Sequence, residues 1–314
     1  MSLHAYVIVN PASANGGTAR RWPEIRAALD RVLSRWDHAF TTGPGDATTL
    51  ARGAVKDGYE MIVSVGGDGT MNEVVNGLFP DQAELPSAPI RSGVVIAPVR
   101  QGTGGDFARF LGLRGDVPSA VAHLAGDVTR PCDLGLLAHQ TLDGAPAWRA
   151  FLNIASFGLS GLVDEKVNRS TKAFGGRVSF LSGLVRALAE YRPQAVRMTV
   201  DDQLFLEGPM VIGAVANGQY FGGGMHFAPE AAIDDGLFDV AALLRVGARE
   251  IASIGDLYSG KLTQWQSFIR TRGVRLEVEG LGPTPVLLDV DGEQPGKLPA
   301  SFRLLPSAVR LKVA

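Results

Sequence analysis

The residues 66–70, Gly-Gly-Asp-Gly-Thr, are of types and spacing that could bind a phosphate group. They follow an apolar, strand-like segment at 59–65 and precede a helix-compatible run that begins near Met71. Glycines at a strand-to-helix turn let backbone N–H groups approach phosphate oxygens, and the helix N-terminus adds a partial positive charge. The carboxylate of Asp68 then stands where a phosphate-bound Mg²⁺ needs an oxygen ligand. Taken alone, this glycine loop fits an ordinary tight turn of an α/β domain about equally well.

Two further loops have a similar arrangement of small residues before a helix. The first, residues 10–21, ends in Arg20 and Arg21, which could contact an anionic phosphate chain; a helix cap with solvated arginines is the alternative. In the second, residues 102–106, Thr103 offers a hydroxyl to phosphate or ribose and Asp106 is placed to cap the following helix. A purely structural turn explains the second loop equally well.

Acidic residues cluster at two places in the second half of the chain. If the chain is extended, Asp289, Asp291 and Glu293 share one face of a strand, where neighbouring carboxylates suit a general base near neutral pH. A hairpin with an Asp-Gly turn is the alternative for these residues. The segment 232–239 combines acidic side chains with turn carbonyls that could bind a hard divalent cation, or it forms a solvated turn.

Composition excludes several classes of protein. The formal net charge of −2 argues against a nucleic-acid binder. Cys132 is the only cysteine, which excludes an intramolecular disulfide and a multi-cysteine zinc site. The sequence has no basic N-terminal region of a signal peptide and no apolar run near the roughly 20 residues of a membrane span. We therefore expect a cytoplasmic protein whose lipid contacts are peripheral; the oligomeric state stays open, with a homodimer among the options.

The periodicity of apolar residues predicts the elements that position these groups. Residues 1–131 alternate strands and helices, which predicts a mostly parallel sheet whose loops gather at the carboxyl ends of the strands. The predicted strands are 6–9, 38–41, 61–65 and 93–97, and the predicted helices are 22–36 and 47–56. Residues 132–314 change to consecutive strands, which predicts an antiparallel sandwich. The predicted elements there are a hairpin at 196–206, strands at 209–216, 237–244, 274–278, 286–290, 302–304 and 309–313, and helices at 178–191 and 248–257.

The order and spacing of the motifs resemble the diacylglycerol kinase catalytic-domain family, and the bacterial lipid kinases in particular, almost from end to end. The motifs that carry the resemblance are Val9-Asn10-Pro11, the glycine loop with Asn72-Glu73, Gly102-Thr103, Asp106-Phe107-Ala108, Asn153, Phe157-Gly158, Asn217-Gly218, Gly222-Gly223-Gly224, Ala228-Pro229, Asp234-Asp235-Gly236-Leu237 and Asp291-Gly292-Glu293. The resemblance implies a Rossmann-like, phosphofructokinase-like α/β nucleotide domain at 1–131 and a β-sandwich lipid-substrate domain at 132–314. It also implies an active site in the cleft between these domains.

The resemblance further implies an ATP-dependent, Mg²⁺-requiring transfer of the γ-phosphate to a lipid hydroxyl at a membrane surface. The positions that it assigns to ATP are Asn10, Thr41, Gly66, Gly67, Asp68, Gly69, Thr70, Met71, Asn72, Glu73, Gly102 and Thr103. It assigns catalysis to Glu293 as proton acceptor, with Asp291 beside it and Asp68 at the catalytic Mg²⁺. A second, structural Mg²⁺ is assigned to the Asp235 side chain and to the carbonyls of Ala232 and Leu237.

One part of the resemblance is imperfect. Many relatives have Gly-Thr-Ala-Asn-Asp, or Gly in place of Ala, where this chain has Gly at both 104 and 105, so the side chain at 105 is lost. Arg100 and Gln101 also lengthen the loop after Pro98.

An NAD kinase-like phosphotransferase is the nearest alternative function, because it shares the glycine loop, and a nucleotide-binding regulator without catalysis is another. The lipid acceptor stays open among diacylglycerol, phosphatidylglycerol, a sphingoid base and other lipids. Residues between 164 and 190 are rich in Lys, Arg and apolar side chains, which fits either an anionic membrane contact or an ordinary amphipathic helix.

Overall fold

The computed structural model describes residues 3–101, 105–113, 117–161 and 191–313. The chain divides into two compact units. The first unit comprises Met1–Leu134 with two short later segments, Ile233–Asp235 and Leu305–Ala314. The second unit comprises Gly135–Ala232 and Gly236–Leu304.

A parallel sheet forms the centre of the first unit. Its strands are β1 (Ala5–Val9), β2 (Trp36–Phe40), β3 (Met61–Gly66) and β4 (Val95–Arg100). They lie in the order β2-β1-β3-β4, and all three neighbouring pairs are parallel. The end of the C-terminal strand pairs with β4 in parallel, which explains why the last residues of the chain cluster with the first unit. The predicted α/β architecture is confirmed.

Five helices accompany this sheet in the described part of the first unit. They are α1 (Ser13–Val32), α2 (Asp46–Lys56), α3 (Asp68–Gly77), α4 (Asp106–Phe110) and α5 (Val117–Ala122). The prediction that a helix extends to Trp36 is wrong, because the chain becomes extended at Leu33 and Trp36 begins β2. Trp36, His38 and Phe40 alternate along β2, and Trp22 of α1 contacts all three rings.

The second unit is built from antiparallel strands. Their bounds are β5 (Thr129–Gln140), β6 (Pro146–Phe151), β7 (Ile154–Gly158), β8 (Gln194–Val200), β9 (Gln203–Met210), β10 (Ile212–Ala216), β11 (Tyr220–Phe221), β12 (Met225–His226), β13 (Phe238–Leu243), β14 (Phe268–Gly273), β15 (Arg275–Gly280), β16 (Leu288–Val290) and β17 (Lys297–Lys312). The first residues of β5 and the last residues of β17 belong to the first unit. One sheet has the order β14-β13-β10-β7-β16, and a second contains β17, β15, β8 and β9 in that order. Two short helices, α6 (Ala248–Ala252) and α7 (Asp256–Ser259), and a 3₁₀ turn (Lys261–Gln264) complete the described elements.

One hydrophobic core lies between the inner faces of the two sheets of the second unit. It includes Phe151, Phe157 and Phe302, each with 0% exposure, and the Phe302 ring contacts the other two rings. The predicted β-sandwich is confirmed, as is the hairpin at 196–206, whose turn residues Asp201 and Asp202 both have positive φ. The strands 302–304 and 309–313 prove to be parts of one strand, β17, and the helix at 248–257 is two short helices. The predicted helix at 178–191 lies outside the described residues except for its last residue.

Candidate active site

The glycine loop joins β3 to α3 at the carboxyl edge of the parallel sheet. Gly66 must be glycine, because a Cβ there would lie 2.5 Å from the Thr70 Oγ1 atom. Thr70 Oγ1 also accepts a hydrogen bond from the Asn10 amide at 2.9 Å, which ties the loop after β1 to the start of α3. Gly67 is the N-cap of α3 in an extended conformation. The first N–H groups of an α-helix have no acceptor within the helix, so this terminus suits an anion.

Asp68 supports a second piece of backbone near this loop. Its Oδ2 atom accepts hydrogen bonds from the N–H groups of Gly105 and Asp106, both at 2.9 Å. Asp68 therefore caps α4, a role that the sequence expectation had given to Asp106 itself. The Asp106 carboxylate instead pairs with Arg109 at 2.9 Å. Contact of Asp68 with Mg²⁺ or phosphate stays a prediction, and Gly102 and Thr103 lie outside the described residues.

Several other residues assigned to ATP have structural contacts of their own. Thr41 is buried, and its N–H donates to the Val9 carbonyl at 2.9 Å. The Glu73 carboxylate accepts the N–H groups of Gly45 and Ala47, at 2.9 and 3.1 Å, and so caps α2. Gly69 lies in the first turn of α3, and the next three residues, Thr70, Met71 and Asn72, are buried. Any nucleotide contact by these side chains stays a prediction.

The loop after Thr41 is held by Asp46. Its Oδ2 atom accepts the N–H groups of Thr42 and Gly43, at 2.7 and 3.1 Å, and the Thr42 hydroxyl. The Thr42 hydroxyl and N–H stabilise the charged form and so lower the pKa of the Asp46 carboxyl. Asp46 therefore does not cap α2, because its side chain bonds the preceding loop and Glu73 takes the capping role.

The acidic cluster near residue 291 is a tight turn and not a continuous strand. Asp291 and Gly292 have φ values of 51° and 86°, as in a type I′ turn, and residues 290 and 293 exchange two backbone hydrogen bonds. Extension therefore ends at Val290, and the three carboxylates do not share one strand face. Asp289 is buried and accepts the Gly292 N–H at 3.0 Å, which fixes the turn.

Asp291 is a backbone anchor. Its two carboxylate oxygens accept the N–H groups of residues 152–154 at 3.0, 3.1 and 3.0 Å. Its own N–H donates to the Ile154 carbonyl at 3.0 Å. A carboxylate is the natural acceptor for three convergent N–H groups, because hydrogen bonds to an ionised group are stronger than neutral ones. The turn that carries Glu293 is therefore fixed to the strand β7 and to the residues before it.

Glu293 has a partner that the sequence did not reveal. Arg149 of β6 donates to Glu293 Oε2 at 2.5 Å across a separation of 144 residues. The side chains are 21% and 37% exposed, respectively, so the pair is partly accessible to a ligand. The arrangement gives the second unit an oriented, accessible carboxylate on a rigid turn, which is what a proton acceptor requires.

The segment predicted to bind a structural Mg²⁺ contains a strong ion pair. The Arg130 guanidinium forms two hydrogen bonds to the Asp234 carboxylate, at 2.5 and 2.6 Å, and lowers the pKa of that carboxyl. The predicted ligands Ala232, Asp235 and Leu237 offer only oxygen atoms, which suits a hard cation. Among the described residues, no group of three His, Cys, Asp or Glu side chains forms a metal site. Metal binding at these three residues stays a prediction.

Comparison with known proteins identifies both halves of the chain. Residues 4–137 match the family model of the diacylglycerol kinase catalytic domain, and residues 153–313 match the YegS C-terminal NAD kinase beta sandwich-like domain. A diacylglycerol kinase of Bacillus subtilis (strain 168) is 29% identical over 300 residues, covering 95% of this chain and 92% of the relative. A diacylglycerol kinase of Staphylococcus haemolyticus is 29% identical over 299 residues, covering 95% of this chain and 84% of the relative.

Solved structures show the same fold. The crystal structure of a diacylglycerol kinase from Bacillus anthracis str. Sterne has a TM-score of 0.71 at 23% identity, covering 100% of this chain and 97% of that one. A yeast NADH kinase complexed with NADH has a TM-score of 0.53 at 9% identity, covering 100% of this chain and 84% of that one, and shares the fold at a greater distance. The fold and the matched domains define a kinase, an enzyme that transfers phosphate to an alcohol group. The chain belongs to the diacylglycerol kinase catalytic-domain family, and it is a lipid kinase that uses ATP.

Proposed function

We propose that this kinase phosphorylates the free hydroxyl of a diacylglycerol, and that Glu293 accepts the proton of that hydroxyl. The observation that carries the proposal is the fixed turn at 290–293, where Asp291 binds three backbone N–H groups and Glu293 remains accessible beside Arg149. Diacylglycerol is the acceptor named for relatives that cover almost the whole chain, which supports it over the other lipids.

Phosphoryl transfer depends mainly on positioning and charge stabilisation. We assign the triphosphate of ATP to the glycine loop, because this loop offers a helix N-terminus and a fixed carboxylate, Asp68. Bound Mg²⁺ would neutralise phosphate charge, and Asp68 is the residue that would hold it. The acceptor oxygen would bond to the γ-phosphorus as the bond to the β-phosphate oxygen breaks and ADP leaves, and the hydroxyl proton would pass to Glu293, which Arg149 keeps oriented.

An apolar cavity in the second unit supports a lipid acceptor. It lies over the sheet face formed by residues of β10 and β13 and is bordered by α6 and α7. Its apolar lining residues are Leu159, Val211, Ile212, Phe221, Met225, Phe227, Leu243, Val246, Ile254, Leu257 and Trp265. The cavity has a volume of about 50 Å³, which admits only a few methylene groups, and each methylene removed from water contributes about 0.8 kcal/mol. We assign only the end of an acyl chain of the substrate to it.

A lipid substrate requires access to a membrane surface. Among the described residues, no helix is long and apolar enough to cross a bilayer. We therefore propose peripheral contact, and the basic and apolar stretch between 164 and 190, which lies outside the described residues, is the sequence feature that supports it. Co-sedimentation with vesicles that increases with their anionic lipid content is the expected result; binding that is absent at every composition would contradict this contact.

The acceptor is tested by transfer of labelled γ-phosphate from ATP to a panel of candidate substrates. The panel contains diacylglycerol, phosphatidylglycerol, sphingosine and NAD, and each product is identified by mass spectrometry. We expect label in diacylglycerol with the wild type and with Glu277→Gln, an exposed control on β15, and its loss with Glu293→Gln. Label in NAD alone would replace the proposal with an NAD kinase activity, and ATP binding without any product would indicate a regulator.

A further inference from the structure

The side chain of Arg100 occupies the space beside Gly105. Arg100 is the last residue of β4 and pairs in register with Gly66, the first residue of the glycine loop. A Cβ added to Gly105 would lie 2.6 Å from Arg100 Nε, 2.9 Å from Cδ and 3.3 Å from Cγ. Gly105 also has a φ of 107°, which side-chain-bearing residues rarely adopt. The structure therefore places an arginine against a backbone position that only glycine fits.

Arg100 is held beside the residue that Asp68 binds. The N–H of Gly105 donates to Asp68 Oδ2 at 2.9 Å, so the arginine side chain lies against the same backbone unit. The next residue, Gln101, donates its N–H to the Gly66 carbonyl at 2.9 Å and is buried. These contacts fix the end of β4 to the glycine loop on one side and to the start of α4 on the other.

The chemistry of arginine suits this position. Its guanidinium is always charged and presents five N–H donors in a planar fork that matches phosphate oxygens. At the end of β4 it lies at the edge of the parallel sheet where ligands bind in such folds, and where α3 begins. The Arg100 side chain fills the space that a side chain at position 105 would need.

We propose that Arg100 is a phosphate-binding residue of the nucleotide site, and that residue 105 is glycine because a side chain there would displace the guanidinium. This inference rests on the assignment of ATP phosphates to the glycine loop. It requires no lipid substrate, so direct nucleotide binding to the whole chain tests it separately from the acceptor. The pair of residues then acts as one unit, in which either substitution removes the same phosphate contact.

The test measures dissociation constants for ATP and for adenosine by calorimetry. We expect Arg100→Ala to weaken ATP about tenfold or more and to leave adenosine unchanged, because adenosine has no phosphate. Arg100→Lys, which keeps the charge but not the fork, should give an intermediate loss and serves if the alanine variant is unstable. Arg31→Ala, at the exposed end of α1, is the control for the loss of one positive charge and should bind ATP as the wild type does.

The double variant tests the link between the two residues. Gly105→Ala should weaken ATP as Arg100→Ala does, and Gly105→Ala in the Arg100→Ala background should add less than about threefold. Wild-type ATP affinity in Arg100→Ala, equal losses for ATP and adenosine, or full additivity of the two substitutions would each overturn the inference. A loss of ATP affinity in Arg100→Ala, together with a wild type that binds ATP but phosphorylates no lipid, would uphold this inference while refuting the proposed acceptor.

Discussion

Asp291 and Glu293 are only two residues apart, but removing their charges should have different effects. Neutralising Asp291 should reduce the stability of the fold, whereas neutralising Glu293 should abolish turnover and leave stability nearly unchanged. In Asp291→Asn, one oxygen that accepts a backbone N–H becomes a donor, so one N–H of residues 152–154 loses its partner. The other two hydrogen bonds lose the assistance of the charge. An unsatisfied N–H costs about 1–3 kcal/mol, and each of the two remaining bonds loses about 1 kcal/mol of charge assistance, so we expect a loss of at least about 3 kcal/mol. Asparagine tolerates the positive φ of Asp291, so backbone strain does not contribute.

Thermal unfolding followed by circular dichroism measures this difference. A loss of about 3 kcal/mol in a unit of this size lowers the melting temperature by about 6–12 °C. Glu293→Gln is the matched control: its ion pair with Arg149 is partly exposed, so the change should cost less than about 1 kcal/mol while turnover is lost. If Asp291→Asn melted within about 2 °C of the wild type, the role of Asp291 as a backbone anchor would be refuted.

Three further predictions concern other parts of the chain. Arg149→Gln should lower kcat about tenfold at unchanged KM for ATP, because Glu293 loses its orientation; steady-state kinetics with an unchanged kcat would contradict this. Val246→Phe should raise the KM for long-chain diacylglycerol about tenfold without affecting short-chain substrates, whereas the exposed Val274→Phe should not; equal effects on both chain lengths would count against the cavity. Burial lowers the pKa of His123 from 6.5 to about 4, so the folded protein binds this proton less readily than the unfolded chain does. The free energy of unfolding is therefore highest above pH 6.5 and decreases as the pH falls toward 4. Urea unfolding at pH 7 and pH 5 should show a loss of about 2 kcal/mol that His123→Leu lacks, and an equal loss in both proteins would exclude His123 as its source.

The local pattern of the sequence was sufficient for the architecture and for the glycine loop. Alternating strands and helices predicted the parallel sheet, because its strands are short, apolar and separated by helical periodicity. The boundary between the domains was less predictable, since the last residues of the chain return to β4. The prediction of two strands at 302–313 failed because Pro306 and Ser307 look like a turn. In the structure the Ser307 N–H instead donates to the Asp133 carboxylate at 2.6 Å, and β17 continues.

The partners of the candidate site residues depend on long-range contacts. Asp68 binds backbone 37 and 38 residues later, and Arg149 reaches Glu293 across 144 residues, which no local pattern reveals. For the carboxylates near 291 the sequence left two interpretations open, a shared strand face or a hairpin with an Asp-Gly turn, and the structure adopts the turn, as type I′. Asn10 was assigned to ATP, which stays a prediction, and its hydrogen bond to Thr70 emerges only from the fold.

The role of Glu293 is tested most directly by measuring ATP binding and γ-phosphate transfer to diacylglycerol on the same preparation of Glu293→Gln. The substitution keeps the size of the side chain and removes its capacity to accept a proton. We expect ATP affinity within about twofold of the wild type and a transfer rate lower by a factor of about 10²–10⁴, the usual contribution of a general base. Transfer at the wild-type rate by a variant that binds ATP normally would contradict the assignment of Glu293 as the proton acceptor.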